Sequence, residues 1–303
     1  MLTIILVLLG CGSASVLARM VADFARNREQ NYPKGKLLLT ACGSAVIYVF
    51  EVLGIGCMAP LTILLNSGKL LDDDRQLPGT LNMGCSLPVF LEGFLYINSI
   101  EVDYLTLILN ILGCVVGGLV GPYLVKKCKP RPIRIVIGFA LIIAATFMLL
   151  GRLDLMPTGG DAIALTGWKL VVSVIGQFLI GILGSFGIGS FSLCMCLIYF
   201  LGMSAAVSFP IMMGAAAFMQ VANNNVYLTI SAKASREGQP SMYNRTVALT
   251  MAVVGVIGIL VGYFIIQSLS VTALQWLVLC IVYFAGILLL VQNLKKPAEG
   301  TPA

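Results

Sequence analysis

Leu53-Gly54-Ile55-Gly56 and Phe186-Gly187-Ile188-Gly189 decide how this chain is read. Each lies inside an apolar segment too long for one ordinary bilayer crossing, 37–66 for the first and 168–201 for the second. A crossing takes roughly 20 apolar residues. A glycine pair, with no Cβ to restrict φ, is where a helix can be interrupted or turned. The two breaks make both long runs candidate helical hairpins. Around them lie further apolar segments at 2–19, 79–99, 104–125, 135–150, 206–230, 246–267 and 272–292.

Composition agrees. Of the 303 residues 59% are hydrophobic and 11% charged, against roughly 45–50% and about 25% in a soluble domain. The spans leave no room for a separate soluble domain. The first stretch, Leu2 to Ala18, has no basic residue ahead of its core, and charge follows it. That is the reverse of a secretory signal, so it reads as a retained span. Nine cysteines are scattered singly, apart from Cys194 and Cys196, and there is no histidine. The common zinc sets are therefore missing, the cysteines read as small packing residues, and neither a metal nor a cofactor is expected. The net charge of +6 comes from short basic clusters beside apolar runs, which orient a membrane protein and do not form a nucleic-acid face.

Charge parity separates hairpins from single crossings. If both long segments return to the side they entered from, every Lys and Arg except Arg152 and Lys169 falls on one face. If both cross once, the clusters Arg26 to Lys36 and Lys126 to Arg134 lie on opposite faces. The positive-inside rule favours the hairpins, with the N-terminus outside and the C-terminus cytoplasmic at the plasma membrane. Whether each hairpin is re-entrant or a full double crossing stays open at this point.

The halves also match beyond the breaks. Asn82-Met83-Gly84 aligns with Met212-Met213-Gly214, and Gly121-Pro122-Tyr123-Leu124-Val125 with Gly262-Tyr263-Phe264-Ile265-Ile266. The pairs Gly54 with Gly187, Gly84 with Gly214 and Gly121 with Gly262 are separated by similar lengths of chain, so segment order is kept with modest insertions. Each unit is a hairpin followed by three crossings, so the second enters from the opposite face. The expected fold is an all-α polytopic membrane protein of two inverted repeats with one extra N-terminal transmembrane helix. Its parts are 1–36, the N-terminal helix and a basic cytoplasmic loop; 37–151, repeat 1; 152–167, a non-cytoplasmic linker; 168–293, repeat 2; and 294–303, a cytoplasmic tail. Broken helices meeting near the midplane between inverted repeats are a recurrent design of secondary transporters. The alternative is a pair of similar units used only as structural bundles.

Non-helical backbone at membrane depth is tolerated where protein or a water-filled cavity covers it, so the glycine tips should line a site. No Lys or Arg lies within a span, yet helix N-termini attract anions through free N–H groups and the macrodipole. Gly187, Gly189, Ser190 and Ser192 would form one such terminus, and Gly54, Ile55, Gly56 and Cys57 the opposing one. Asn82 and Gly84, with Met213 and Gly214, would flank them as further substrate-binding residues. Glu51 and Glu92 are the acidic residues inside spans, and intramembrane charge is costly enough to mark function. They are proton-coupling candidates. Glu51 would serve equally well as a protonated partner for freed backbone groups, and Glu92 as a partner of polar neighbours. Gln220, Asn223, Asn224 and Asn225 read either as cavity lining or as a helix end facing water. Asp72-Asp73-Asp74-Arg75 reads as a solvated loop.

Four stretches carry a resemblance: Leu53-Gly54-Ile55-Gly56; Asp73-Asp74-Arg75-Gln76-Leu77-Pro78-Gly79-Thr80-Leu81-Asn82; Gly117-Gly118-Leu119-Val120-Gly121 with its basic loop; and Phe186-Gly187-Ile188-Gly189-Ser190. Across residues 37 to 292 the chain resembles the TauE/SafE sulfite exporters, also called the four-toluene-sulfonate uptake permeases. The resemblance implies a two-repeat permease moving sulfite, thiosulfate, organosulfonates or related sulfur anions across a plasma membrane.

The expected function is thus secondary transport of a small sulfur-containing anion, bound between the hairpin tips and released by rocking of one repeat against the other, with protons as a coupling ion. A passive anion channel and a permease for a non-sulfur organic anion are the alternatives. No enzyme is expected. Without histidine neither a Ser-His dyad nor an HExxH zinc site can be built, and no Walker-type motif points to ATP. The partners are the anion, the lipid bilayer and protons, and no nucleic acid is expected.

Overall fold

The computed structural model describes residues 2–27, 32–52, 56–97, 101–127, 162–203 and 205–266 throughout, and positions between 132 and 153 and between 276 and 294 in part. The helices are α1 (Leu2–Arg26), α2 (Lys34–Glu51), α3 (Met58–Ser67), α4 (Leu77–Tyr96), α5 (Tyr104–Lys127), α6 (Gly167–Ser185), α7 (Ser190–Phe200), α8 (Ala205–Arg236) and α9 (Arg245–Ile266). The described positions from 132 to 152 and from 276 to 294 are helical too. Among the described residues there is no strand, only one isolated bridge between Ala162 and Met203. The chain is an all-α membrane protein. Helices α1, α5, α6 and α9 are each long and apolar enough to cross a bilayer. Their outward faces expose large apolar side chains such as Leu8, Val116, Val171 and Ile257. Water would penalise that belt, and lipid does not.

Both long segments are hairpins with unequal arms. Helix α3 doubles back along α2: a Cβ on Gly43 would fall 2.6 Å from Leu64 Cδ1, and one on Gly68 3.1 Å from Leu39 Cδ2. Helix α7 returns along α6 in the same way, with Gly176 against Leu197 and Gly202 near Lys169 Nζ. Gly43 and Leu64 precede Gly176 and Leu197 by the same offset that separates Gly54 from Gly187. The returning arms hold 10 and 11 residues, about 15–17 Å at 1.5 Å per residue. That is about half of a bilayer core of roughly 30 Å.

Each hairpin is held by the other half of the chain. Helix α5 runs parallel to α6, with Gly117 on the Phe178 carbonyl and Gly181, and Gly121 on Ser185. Helix α9 runs parallel to α2, with Gly258 on the Ala45 carbonyl and Tyr48, and Gly262 on the Val49 carbonyl and Val52. Ala45, Tyr48 and Val52 precede Phe178, Gly181 and Ser185 by the offset of the glycine breaks, and Gly117 and Gly121 precede Gly258 and Gly262 by one slightly longer offset. Glycines four apart let backbones touch, where any side chain would drive the helices apart. Helices α4 and α8 cross the centre antiparallel, with Asn82 bonded to Asn223 and Gly93 packed on Ala217. The two partly described segments also pair antiparallel: Gly138 meets Leu290, and Tyr283 donates to Thr146 at 3.0 Å.

These contacts fix which loops share an end. Lys36 approaches Asp72 at 4.0 Å, Arg245 Nε bonds Asp23 at 2.7 Å, and Gly79 packs on the Met242 carbonyl. The basic ends of α1, α5 and α8 and the starts of α2, α4 and α9 therefore gather at one end of the bundle, and Lys169 lies at the other. One boundary differs from expectation. The 206–230 segment does not stop at its asparagines; α8 runs on to Arg236, 32 residues in all. Gln220, Asn223 and Asn224 are buried within it, so they face the interior and not water.

Candidate functional site

The first tip follows α2. Glu51 closes that helix, Gly56 turns the chain at φ +82°, and Cys57 starts α3. The Cys57 backbone N–H donates to Glu51 Oε1 at 3.3 Å, and Oε2 has no partner among the described residues. The Val52 carbonyl, released where α2 ends, accepts from the Tyr96 hydroxyl at 3.1 Å. Glu92 is 0% exposed, neither of its oxygens has a partner among the described residues, and it lies within electrostatic reach of Glu51 and Cys85. Sulfur fills the floor: Cys57 Sγ is 3.0 Å from Cys85 Sγ, which is 3.8 Å from Met58 Sδ and accepts from Tyr48 at 3.4 Å. Gly54 and Ile55 lie outside the described residues.

The second tip repeats this frame with other chemistry. Helix α6 ends at Ser185, Gly187 turns at φ +80°, and α7 starts at Ser190. The Ser185 carbonyl accepts from the Tyr227 hydroxyl at 2.7 Å and from Asn82 Nδ2 at 3.1 Å. Tyr227 follows Tyr96 by nearly the repeat offset, and the two serve the same carbonyl position. In place of carboxyls there are amides: Asn223 donates to Asn82 Oδ1 at 2.7 Å and Asn224 to the Asn82 carbonyl at 3.3 Å. Among the described residues Asn223 Oδ1, Asn224 Oδ1 and Gln220 Oε1 are buried without partners, and unpaired buried acceptors are uncommon.

The tips meet. Among the described residues a Cβ on Gly56 would have Phe191 of α7 as its one neighbour, 4.0 Å away, and a Cβ on Gly189 would touch nothing within 4 Å. These glycines, separated by the same offset as Gly54 and Gly187, open onto space where α3 and α7 begin. Gly187 packs closely on Leu81 of α4. Of the expected residues, Glu51, Gly56, Cys57 and Glu92 gather at the first tip, and Asn82, Gly187, Gly189 and Ser190 at the second. Ser192 lies in the first turn of α7.

Gly84 packs on Met251, and its carbonyl accepts from the Tyr48 hydroxyl at 2.9 Å, next to Cys85. Gly214 packs on Ile97 and Ile111, and Met213 is buried with its carbonyl near Gly93. Sequence reading missed Tyr96, Tyr227, Cys85 and Ser185. The spacing of the two tyrosines was the available signal, visible once the repeat register is known.

A lipid-facing helical bundle with two interrupted hairpins meeting in its interior has the build of a membrane permease. The profile of the family "Sulfite exporter TauE/SafE" matches residues 39–289, and the chain belongs to that family. The match covers nearly everything from α2 onward and leaves α1 outside. No curated protein matches the chain.

Proposed function

We propose that the protein is a secondary transporter that carries a small sulfur-containing anion, such as sulfite, thiosulfate or an organosulfonate, across the plasma membrane by alternating access between two inverted repeats. The observation that carries this reading is the meeting of Gly56 with Phe191 across two hairpins whose contacts recur at a constant offset. Helices α4 and α8 are equivalent in the repeats and run antiparallel, as inversion requires. With the hairpins clasped crosswise, rocking one half exposes the shared space to one side and then the other.

The site supports anion binding by backbone. The starts of α3 and α7 offer N–H groups and positive dipole ends without a cation. Gly56, Cys57, Gly189 and Ser190 would hold the anion, with Gly54, Ile55 and Ser192 beside them and Asn82 bracing the second tip. Glu51 and Glu92 supply the coupling. An anion beside two ionised carboxylates is repelled, so its binding and their protonation favour one another. Uptake should therefore rise as pH falls and decline as pH rises. The basic end of the bundle is cytoplasmic on the positive-inside rule, which puts the N-terminus outside.

The test is counterflow in proteoliposomes preloaded with unlabelled anion. Saturable exchange of labelled sulfite or thiosulfate supports a carrier; flux without exchange makes it a channel. Ligands that bind the folded state raise its apparent stability, so a thermal-shift panel of sulfite, thiosulfate, sulfonates, sulfate and carboxylates identifies the class. Stabilisation by carboxylates and by no sulfur anion would overturn the substrate assignment.

A further inference from the structure

A cavity of about 500 Å³ opens between the C-terminal ends of α1 and α8, away from the tips, walled by Arg19, Asp23, Arg26, Asn27, Ser235 and Arg236 among others. Its one carboxylate is already engaged. Asp23 accepts from Arg245 Nε at 2.7 Å and from the Tyr243 hydroxyl. Burial and the Asp23 bond push that hydroxyl well above its usual range, so it remains a donor. Arg19 spans the gap between helices, reaching Asn225 Oδ1 at 2.6 Å and Thr229 Oγ1 at 2.9 Å. Among the described residues Arg26 and Arg236 have no hydrogen-bond or ion-pair partner, and both are exposed at the rim.

Basic residues in a last helical turn offset the macrodipole and orient a membrane protein. Those roles ask only that the charges face water. They do not ask that three guanidiniums surround one hollow whose carboxylate is neutralised by a fourth. Guanidinium forks match phosphate oxygens in pairs. We propose that this cavity binds a phosphate group, and that its source is the headgroup of an anionic phospholipid. The lipid source follows from α1. It is a 25-residue span, and Ala22, Ala18, Ser15 and Leu8, on the side of the helix that carries Arg26, are exposed along it, so an acyl chain can run along that face while its phosphate sits among the arginines. The inference rests on the cavity and not on the transported anion, and it gives α1, the helix outside the family match, a task of its own.

The experiment is a lipid titration of the purified full chain in detergent, read by thermal stability. Phosphatidylglycerol should stabilise it; phosphatidylcholine and inorganic phosphate at equal concentration should not. A direct exposed ion pair with the phosphate contributes up to about fivefold in affinity. Arg26→Gln with Arg236→Gln should therefore shift the titration midpoint by up to about 30-fold. Lys126→Gln with Lys127→Gln, at the same end of the bundle, should leave it in place. Equal stabilisation by both lipids, or an unchanged midpoint in the arginine variant, overturns the site. Inorganic phosphate matching phosphatidylglycerol overturns the lipid source.

Discussion

The two hairpin tips share one backbone frame and differ in nearly every functional group. Each has a long arm, a glycine at φ near +80°, a short returning arm and a tyrosine hydroxyl on the carbonyl freed at the break. Into that frame the α2–α3 tip sets Glu51, Glu92 and a cysteine pair, and the α6–α7 tip sets Asn82, Asn223 and Asn224. In the proposed mechanism the doubled frame sets how access alternates, and the residues dropped into it decide what each side does. In the proposed reading, the acidic tip answers to protons and the amide tip shapes the anion's end of the site.

The largest test of that division is pH. Glu51→Gln with Glu92→Gln should flatten the pH dependence of anion uptake. In the native protein uptake should rise up to about tenfold per unit fall in pH if one proton accompanies each anion. Asn82→Ala should lower uptake at every pH and keep the slope. A double glutamine variant with the native slope, measured in proteoliposomes, would end the idea that the tips divide the work. Next in size are the turns themselves. Gly56→Ala and Gly187→Ala both meet a positive φ, at about 1–2 kcal/mol, and Gly187→Ala also presses a Cβ to 2.8 Å from Leu81. Gly187→Ala should thus depress the melting temperature more than Gly56→Ala; equal losses would mean that Leu81 yields freely. Smallest is the tyrosine pair. Tyr96→Phe leaves the Val52 carbonyl without its side-chain donor, at about 1 kcal/mol. Tyr227→Phe leaves Asn82 still bonded to the Ser185 carbonyl and should cost less. Thermal unfolding of the two variants side by side ranks them, and the reverse order would show that Asn82 cannot carry that carbonyl alone.

What could be read beforehand depended on whether its signal was local. The glycine breaks, the hairpins and the gathering of basic loops follow from short patterns and charge counts, and the observed contacts keep the offsets between equivalent positions of the two halves. The family resemblance agrees with the match over 39–289. Pairings across the fold carry no local trace: Asn82 to Ser185, Gly56 to Phe191 and Tyr96 to Val52 join segments that periodicity treats separately. Gln220 to Asn225 could be read two ways because an amide facing water and an amide facing a polar interior look alike in sequence. Gly84 and Gly214 recur in both halves, and such recurrence marks close helix approach as readily as binding.

The crosswise clasp has a consequence for synthesis. Helix α6 emerges soon after α5 and can dock on it almost at once, whereas α2 must wait for α9, with all the chain between Glu51 and Arg245 still to be made. At about 5–20 residues per second that delay is about 10–40 s. Throughout it, Tyr48 and the Ala45 and Val49 carbonyls lack the glycine face that later covers them. The first hairpin is therefore the part of this protein most dependent on help from the insertion machinery, and a ribosome stalled before α9 would leave it open to membrane proteases.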